Sequence, residues 1–250
     1  MEQSGKEKSI SNFAVHFIDS LESYISTIYD IYNNFQPKSL VFRGHKSKSY
    51  ELIPGVGRKD ANLTIEQEKS IFYEFKRNYR RFYPLNLEND VDIMMLAQHY
   101  GLKTRLLDWS YNPFIALYMA VQQTSEKIGR NVQSRMRNEE HSLDGVVYIK
   151  KISNNKIEKG NKKNPFSFKK NTLLVPENFE IRFVNQEGLF EIFPEPTKES
   201  LKNIIHKIFI KEEYKENIKN KIEMMGITKL FVYPTLENLC SATNELFNKS

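Results

Sequence analysis

One cysteine in 250 residues, Cys240, excludes an internal disulfide and any cysteine-rich zinc site, and it suits a reducing compartment. The first residues, MEQSGKEKSISNF, hold no apolar run of signal-peptide type, and nowhere do about eighteen apolar residues follow one another. These absences argue against secretion by that route and against a membrane span, and the expected compartment is the cytoplasm. No Gly-rich phosphate loop of the Walker or dinucleotide-binding kind is present, nor a Gly-x-Ser-x-Gly turn, so the enzyme classes built on those loops lose their signatures. The five histidines lack metal-ligand spacing and no carboxylate cluster is suited to magnesium, so no metal is expected. No internal repeat and no linker divides the chain.

What is present describes a folded protein. Seventeen Phe and thirteen Tyr, with 40% hydrophobic and 27% charged residues, are values of a globular chain. A chain of this length buries about three-quarters of its unfolded surface and needs no covalent staple. Lys and Arg number 37 against 31 Asp and Glu, a net +6 that fits a polyanionic partner only weakly, since lysine-rich compositions are common.

Ile18, Leu21, Ile25, Ile28 and Tyr32 recur at helical steps and predict an amphipathic helix from Ser11. Leu40-Val-Phe-Arg-Gly44 reads as a short strand with Arg43 at its end. Thr64 and Gln67 resemble a capping box for a second helix with Ile71, Phe75, Tyr79 and Phe82 on one face. A third helix runs from Asp90 to a stop at Gly101, and Asn112-Pro113 starts a fourth that is apolar nearly all round, hence buried. The polar stretch from Ser125 to Ser142 predicts a loop or frayed helix, and Asn154 to Lys170 a loop. Strands are expected at Gly145–Ile149, Ile181–Val184, Leu189–Phe193, Ile204–Ile210 and Leu230–Pro234. A charged helix from Glu212 to Gly226 and a closing helix carrying Leu236, Leu239 and a buried Cys240 complete the reading. The class is α+β in a single domain: a helical segment over 1–38 and a body over 39–250, with a mostly helical first half against a sheet-rich second half.

Polar side chains are densest between Gln98 and Pro113, wedged between two apolar helices. Gln98, His99, Arg105, Asp108, the chain's one Trp (Trp109) and Ser110 lie there, just before a helix N-terminus whose free N–H groups can take an anion. Asp108 or Asn112 can instead cap that helix, and Asp108 can pair with Arg105 or Arg43. His99 is a general base or a hydrogen-bonded core residue. Arg43 offers a planar five-donor fork for phosphate or carboxylate, or a buried ion pair. Gln186-Glu187-Gly188 forms a tight turn between two strands, leaving Gln186 or Glu187 at a sheet edge or simply solvated.

The ordered set of these motifs resembles the FRG domain family, named for Phe42-Arg43-Gly44. The resemblance runs from about Leu40 to Glu245 through Leu52-Ile-Pro-Gly-Val-Gly-Arg58, Met95-Leu-Ala-Gln-His-Tyr-Gly101, Thr104-Arg-Leu-Leu-Asp-Trp-Ser110, Asn112-Pro113 and Gln186-Glu-Gly-Leu-Phe190. Lys103, Ser110 and Met119 stand where the family usually has Pro, Thr and Phe. The order of parts is in turn similar to that of ADP-ribosyltransferases: an aromatic-Arg-Gly strand, a hydroxyl residue before a helix, a late acidic residue. That resemblance implies a small split β-sheet, NAD as substrate and no metal. It gives cofactor-binding roles to Arg43, Gly44, Gln98, Arg105, Asp108, Trp109 and Ser110, and catalytic roles to Glu187, Gln186 and His99. It also implies a protein or nucleic-acid acceptor and a setting in bacterial or phage conflict. Because the family keeps the glutamine, here Gln186, which supplies no negative charge, a non-catalytic nucleotide- or nucleic-acid-binding module is the alternative. A hydrolase using His99 and Asp108 is the third reading.

Overall fold

The computed structural model describes residues 13–36, 38–61, 63–122, 143–152, 157–159, 164–177 and 180–247. Ala14–Ile18 forms strand β1, in which Val15 and Phe17 sit at alternate positions, and helix α1 follows at Leu21–Tyr32. Ser20, not Ser11, is its cap: Ser20 and Ser23 satisfy one another's backbone N–H groups reciprocally. The helix expected from Ser11 is therefore a strand and a shorter helix, and the segment before residue 39 is not wholly helical. The helical spacing of the apolar residues is genuine only from Leu21 onward.

Strand β2 is Leu40–His45. Helix α2, Ile65–Asn78, starts at the expected Thr64–Gln67 capping box. Helix α3, Asp90–His99, stops at Gly101, whose φ of +96° is the left-handed conformation glycine permits. Strand β3, Leu106–Ser110, leads into α4, Pro113–Ala120, where the Asn112 side chain accepts from the Phe114 N–H and Pro113 occupies the first turn. Asn112 is thus the cap and Asp108 is free of that task.

Strands β4 (Gly145–Lys151), β5 (Ile157–Lys159) and β6 (Thr172–Val175) follow, then α5 (Ile181–Asn185), β7 (Gly188–Ile192) and β8 (Ile204–Ile210). Helices α6 (Glu212–Met224), α7 (Lys229–Val232) and α8 (Leu236–Phe247) close the chain, and Cys240 on α8 is exposed rather than buried. Two expected strands, Ile181–Val184 and Leu230–Pro234, are short helices instead. A run of four apolar residues carries no periodicity that separates the two. The expected loop at Ser125 to Ser142 lies outside the described residues, and β5 interrupts the one expected at Asn154 to Lys170.

The class is α+β around one eight-stranded sheet in the order β1-β8-β4-β2-β3-β7-β6-β5, larger than expected, to which the first half of the chain contributes three strands. β1 runs parallel to β8 and β5 to β6; the remaining pairs are antiparallel. Strand alternation puts Leu40, Phe42, Val147, Ile149 and Ile208 on one face, where they bury against α1, α4 and α6. On the same face Leu106, Phe190 and Ile192 bury against α2, α3 and α5. The opposite face carries Val41, Leu107, Trp109, Tyr148 and Leu189 beneath Leu52 and Leu201. No helix among the described residues is long and apolar enough to cross a membrane.

Candidate functional site at a split in the sheet

β2 and β3 are neighbours at the centre of the sheet, yet they share a single paired position, Phe42 with Ser110. β2 pairs along all six residues with β4, and β3 along all five with β7. Beyond Phe42 and before Ser110 the two strands part, so the sheet is two four-stranded halves joined at one point. Tyr111 and Arg105 bond through their backbones to Glu187 and Phe193, which flank β7, so the intervening carbonyl of Asp108 faces β2 across the opening. No backbone donor reaches it there.

Arg43 fills that vacancy. Its Nη1 donates to the Asp108 carbonyl at 2.5 Å and lies 3.5 Å from the Asp108 carboxylate, while its Nε donates to His45 Nε2 at 2.9 Å. Because Nε2 accepts, His45 carries its proton on Nδ1, which donates to the Tyr50 carbonyl at 3.1 Å. Burial, and then the neighbouring Arg43 charge, hold the His45 pKa well below its usual value, so the ring stays neutral. Sequence reasoning passed over His45; the i, i+2 spacing on one strand face was the signal that could have found it. Burial also lowers the Arg43 pKa, opposed by Asp108, and Arg58 adds a second positive charge nearby. No described residue accepts a hydrogen bond from Arg43 Nη2.

Asp108 points to the helical face and its side chain is 56% exposed, against 13% for Arg43. Gln98 Nε2 donates to its Oδ1 at 2.6 Å, and Gln98 Oε1 accepts from the Thr104 hydroxyl, so the amide is oriented from both ends. Tyr233, packed from the C-terminal side with the Arg182 guanidinium 4.9 Å from its ring centre, senses both Asp108 and Arg43. Arg43, Asp108 and Gln98 are thus brought together as expected, with His45, Arg58, Thr104 and Tyr233 as additions.

The remaining expected site residues go elsewhere. Arg105 is 2% exposed and forms a two-pronged pair with Glu68 at 2.8 and 2.5 Å, capped by the Phe166 ring 4.6 Å away. These contacts commit Arg105 to a buried pair with α2. Trp109, next to Asp108 on a strand, necessarily points to the other face, where its indole donates to Glu191 at 3.0 Å. Gly44 lies under α4: a Cβ there would sit 1.8 Å from the Ala116 carbonyl oxygen, so the glycine serves close packing.

Ser110 marks the joined end of the split. Its hydroxyl donates to the Gln186 carbonyl at 2.6 Å and accepts from the Asn112 N–H at 2.9 Å. The Gln186 side chain ties α5 to α7 by donating to the Val232 carbonyl at 2.8 Å. Glu187, between α5 and β7 rather than between two strands, holds a left-handed φ of 45° and accepts from Asn112 Nδ2 at 3.3 Å. Neither Glu187 nor Gln186 contacts Arg43 or Asp108. His99 stands apart again, 3.9 Å from Glu180, wedged between the rings of Tyr100 and Phe183, with its Nδ1 buried and without a partner among the described residues. Burial lowers its pKa; Glu180 opposes that and Arg182 adds to it. Among the described residues no three His, Cys, Asp or Glu side chains converge as metal ligands.

The molecule is therefore an α+β protein whose polar site occupies a split in a central sheet. Residues 38–128, from β2 through α4, match the family model of the FRG domain. The match holds Arg43, Asp108 and Gln98 but ends before Gln186 and Glu187, short of the Glu245 to which the resemblance was expected to run. No curated protein and no solved structure matches the chain.

Proposed function

We propose that the split between β2 and β3 binds a nucleotide through its phosphates, and that the ligand is NAD, cleaved in an ADP-ribosyltransferase-like reaction. The observation that carries this reading is Arg43: a guanidinium set in a gap of the sheet, beside Arg58, with one nitrogen left for a ligand anion. In that reaction the bond from the ribose C1′ to nicotinamide breaks, nicotinamide leaves with the bonding electrons, and an acceptor oxygen or nitrogen bonds to C1′ and gives up its proton. The Glu187 carboxylate, across the joined end, is the charge available to stabilise the cationic ribose.

A second reading has its own observation. Gln186 and Ser110 are committed to backbone partners and Glu187 to Asn112, which favours a nucleotide-binding module without chemistry. One experiment separates the two. The purified protein is incubated with NAD, with and without protein and nucleic-acid acceptors; calorimetry reads NAD binding and mass spectrometry follows nicotinamide release and transferred ADP-ribose, with Arg43→Lys as control and circular dichroism to verify folding. Release that is lost in the variant establishes the enzyme. NAD binding without release establishes the module. Absence of NAD binding overturns NAD as the ligand and with it the enzyme; absence of binding to any nucleotide overturns the module as well.

A further inference from the structure

The face of the sheet opposite the helices holds a cavity of about 560 Å³ that the split does not reach. Lys150, Lys151, Lys169, Lys170, Lys198 and Lys202 line it, against Glu191, Glu195 and Glu199. The Lys151 ammonium turns to the helical side, 5.3 Å from the Phe35 ring centre, which leaves five cations against three carboxylates around the hollow. The carboxylates are already engaged. Glu191 holds Lys150 at 2.6 Å in the floor, Glu195 pairs with Lys198, and Glu199 accepts from the Leu52 N–H at 3.0 Å. Lys169, Lys170 and Lys202 have no ion-pair or hydrogen-bond partner among the described residues, and they stand around the rim.

We propose that this cavity is a second binding site, separate from the split, for a small ligand carrying a chain of phosphates. The volume lies in the range of small-molecule pockets. Unpartnered ammonium groups of residues that line a hollow lower the free energy of a multivalent anion there, each as a mobile point charge able to follow adjacent phosphates. A nucleic-acid strand is disfavoured, because surfaces that track a strand interleave aromatic rings with their cations, and among the described residues no aromatic side chain lines this cavity. For the same reason recognition rests on the phosphates, not on a stacked base.

The floor supplies its own reporter. Trp109 is the chain's one tryptophan; its indole donates to Glu191, and the Lys150 ammonium lies 5.1 Å from its ring centre. An anion drawing on Lys150 changes the field at that ring. The test is to titrate the full chain with inorganic tripolyphosphate, with a nucleoside triphosphate and with a single-stranded oligonucleotide, reading Trp109 fluorescence and calorimetric heat at low and physiological salt. Saturable binding of the first two is expected, weaker at higher salt and at least about tenfold weaker in a Lys169→Glu, Lys170→Glu, Lys202→Glu variant. Those substitutions lie at exposed positions and spare the core, and binding should persist in Arg43→Lys, which disables the split instead. Tripolyphosphate matching the nucleotide would define a phosphate-only site; a stronger nucleotide would add contacts to the nucleoside. The proposal is overturned if neither phosphate ligand saturates, if only the oligonucleotide binds, if the triple variant binds as before, or if Arg43→Lys abolishes the signal.

Discussion

A single methyl group added at Gly44 would collide with the main chain of α4, at the Ala116 carbonyl oxygen and within 2.8 Å of the Ala120 nitrogen. Backbone cannot step aside as a flexible side chain can, so the helix would have to lift from β2 and open the core beneath it. Gly44→Ala should therefore cost at least about 2 kcal/mol, the scale of overpacking in a close-packed core, and lower Tm by several degrees in calorimetry. An unchanged Tm would mean that α4 has slack to move. Of the Phe-Arg-Gly triplet, Phe42 fills the core under the helices, Gly44 admits α4, and Arg43 alone turns to the opening. Sequence reasoning singled out all three; it could not divide their labour, because burial of a glycine under a helix leaves no trace in neighbouring residues.

At the scale of elements, α2 shows how a charge can choose which side of a helix is buried. Of the face expected to carry Ile71, Phe75, Tyr79 and Phe82, Tyr79 is buried and Phe75 packs on the core, yet Ile71 is 36% and Phe82 85% exposed, while Glu68 and Phe72 are buried. The buried side of the helix places Glu68 on Arg105, just before β3 and 37 residues away. Removing one member leaves the other charged and buried, so Glu68→Ala should destabilise the protein by about 3–5 kcal/mol in urea unfolding. Glu68→Leu with Arg105→Met should recover most of that loss, because the apolar pair has no desolvation cost to offset. A double variant as unstable as the single one would sink this account. The two mistaken strands have a kindred cause: α5 and α7 hold one another through Asn185 on the Phe231 carbonyl and Gln186 on the Val232 carbonyl, contacts that no local pattern encodes.

For the whole molecule the question is what joins two half-sheets that share one paired position. Lys150 comes from β4 in one half and Glu191 from β7 in the other, and their 2.6 Å pair spans β2 and β3 on the face away from the helices. Both are 3% exposed, with Trp109 completing the cluster. Lys150→Met should strand the Glu191 charge at a cost of about 3–5 kcal/mol. Hydrogen exchange should then rise first at 40–45 and 106–110, on either side of the split, and last in the β4–β8 ladder. Uniform acceleration across the sheet would show that the pair contributes stability without clasping the halves.

The sequence by itself determined whatever rests on near neighbours. The capping box at Thr64 and Gln67, the stops at Gly101 and Gly226, the start at Asn112-Pro113 and the α+β class were all legible, because caps and periods act over three or four residues. Of the site, Arg43, Gln98 and Asp108 were legible as polar groups in apolar surroundings. Only the tertiary structure decided that Arg105 and Trp109 leave the site for buried partners, that Cys240 is exposed, and that the sheet opens between β2 and β3. Each of those outcomes depends on which strand or helix arrives from dozens of residues away. A buried charge or an unpaired carbonyl must be satisfied by whatever that long-range packing brings within reach.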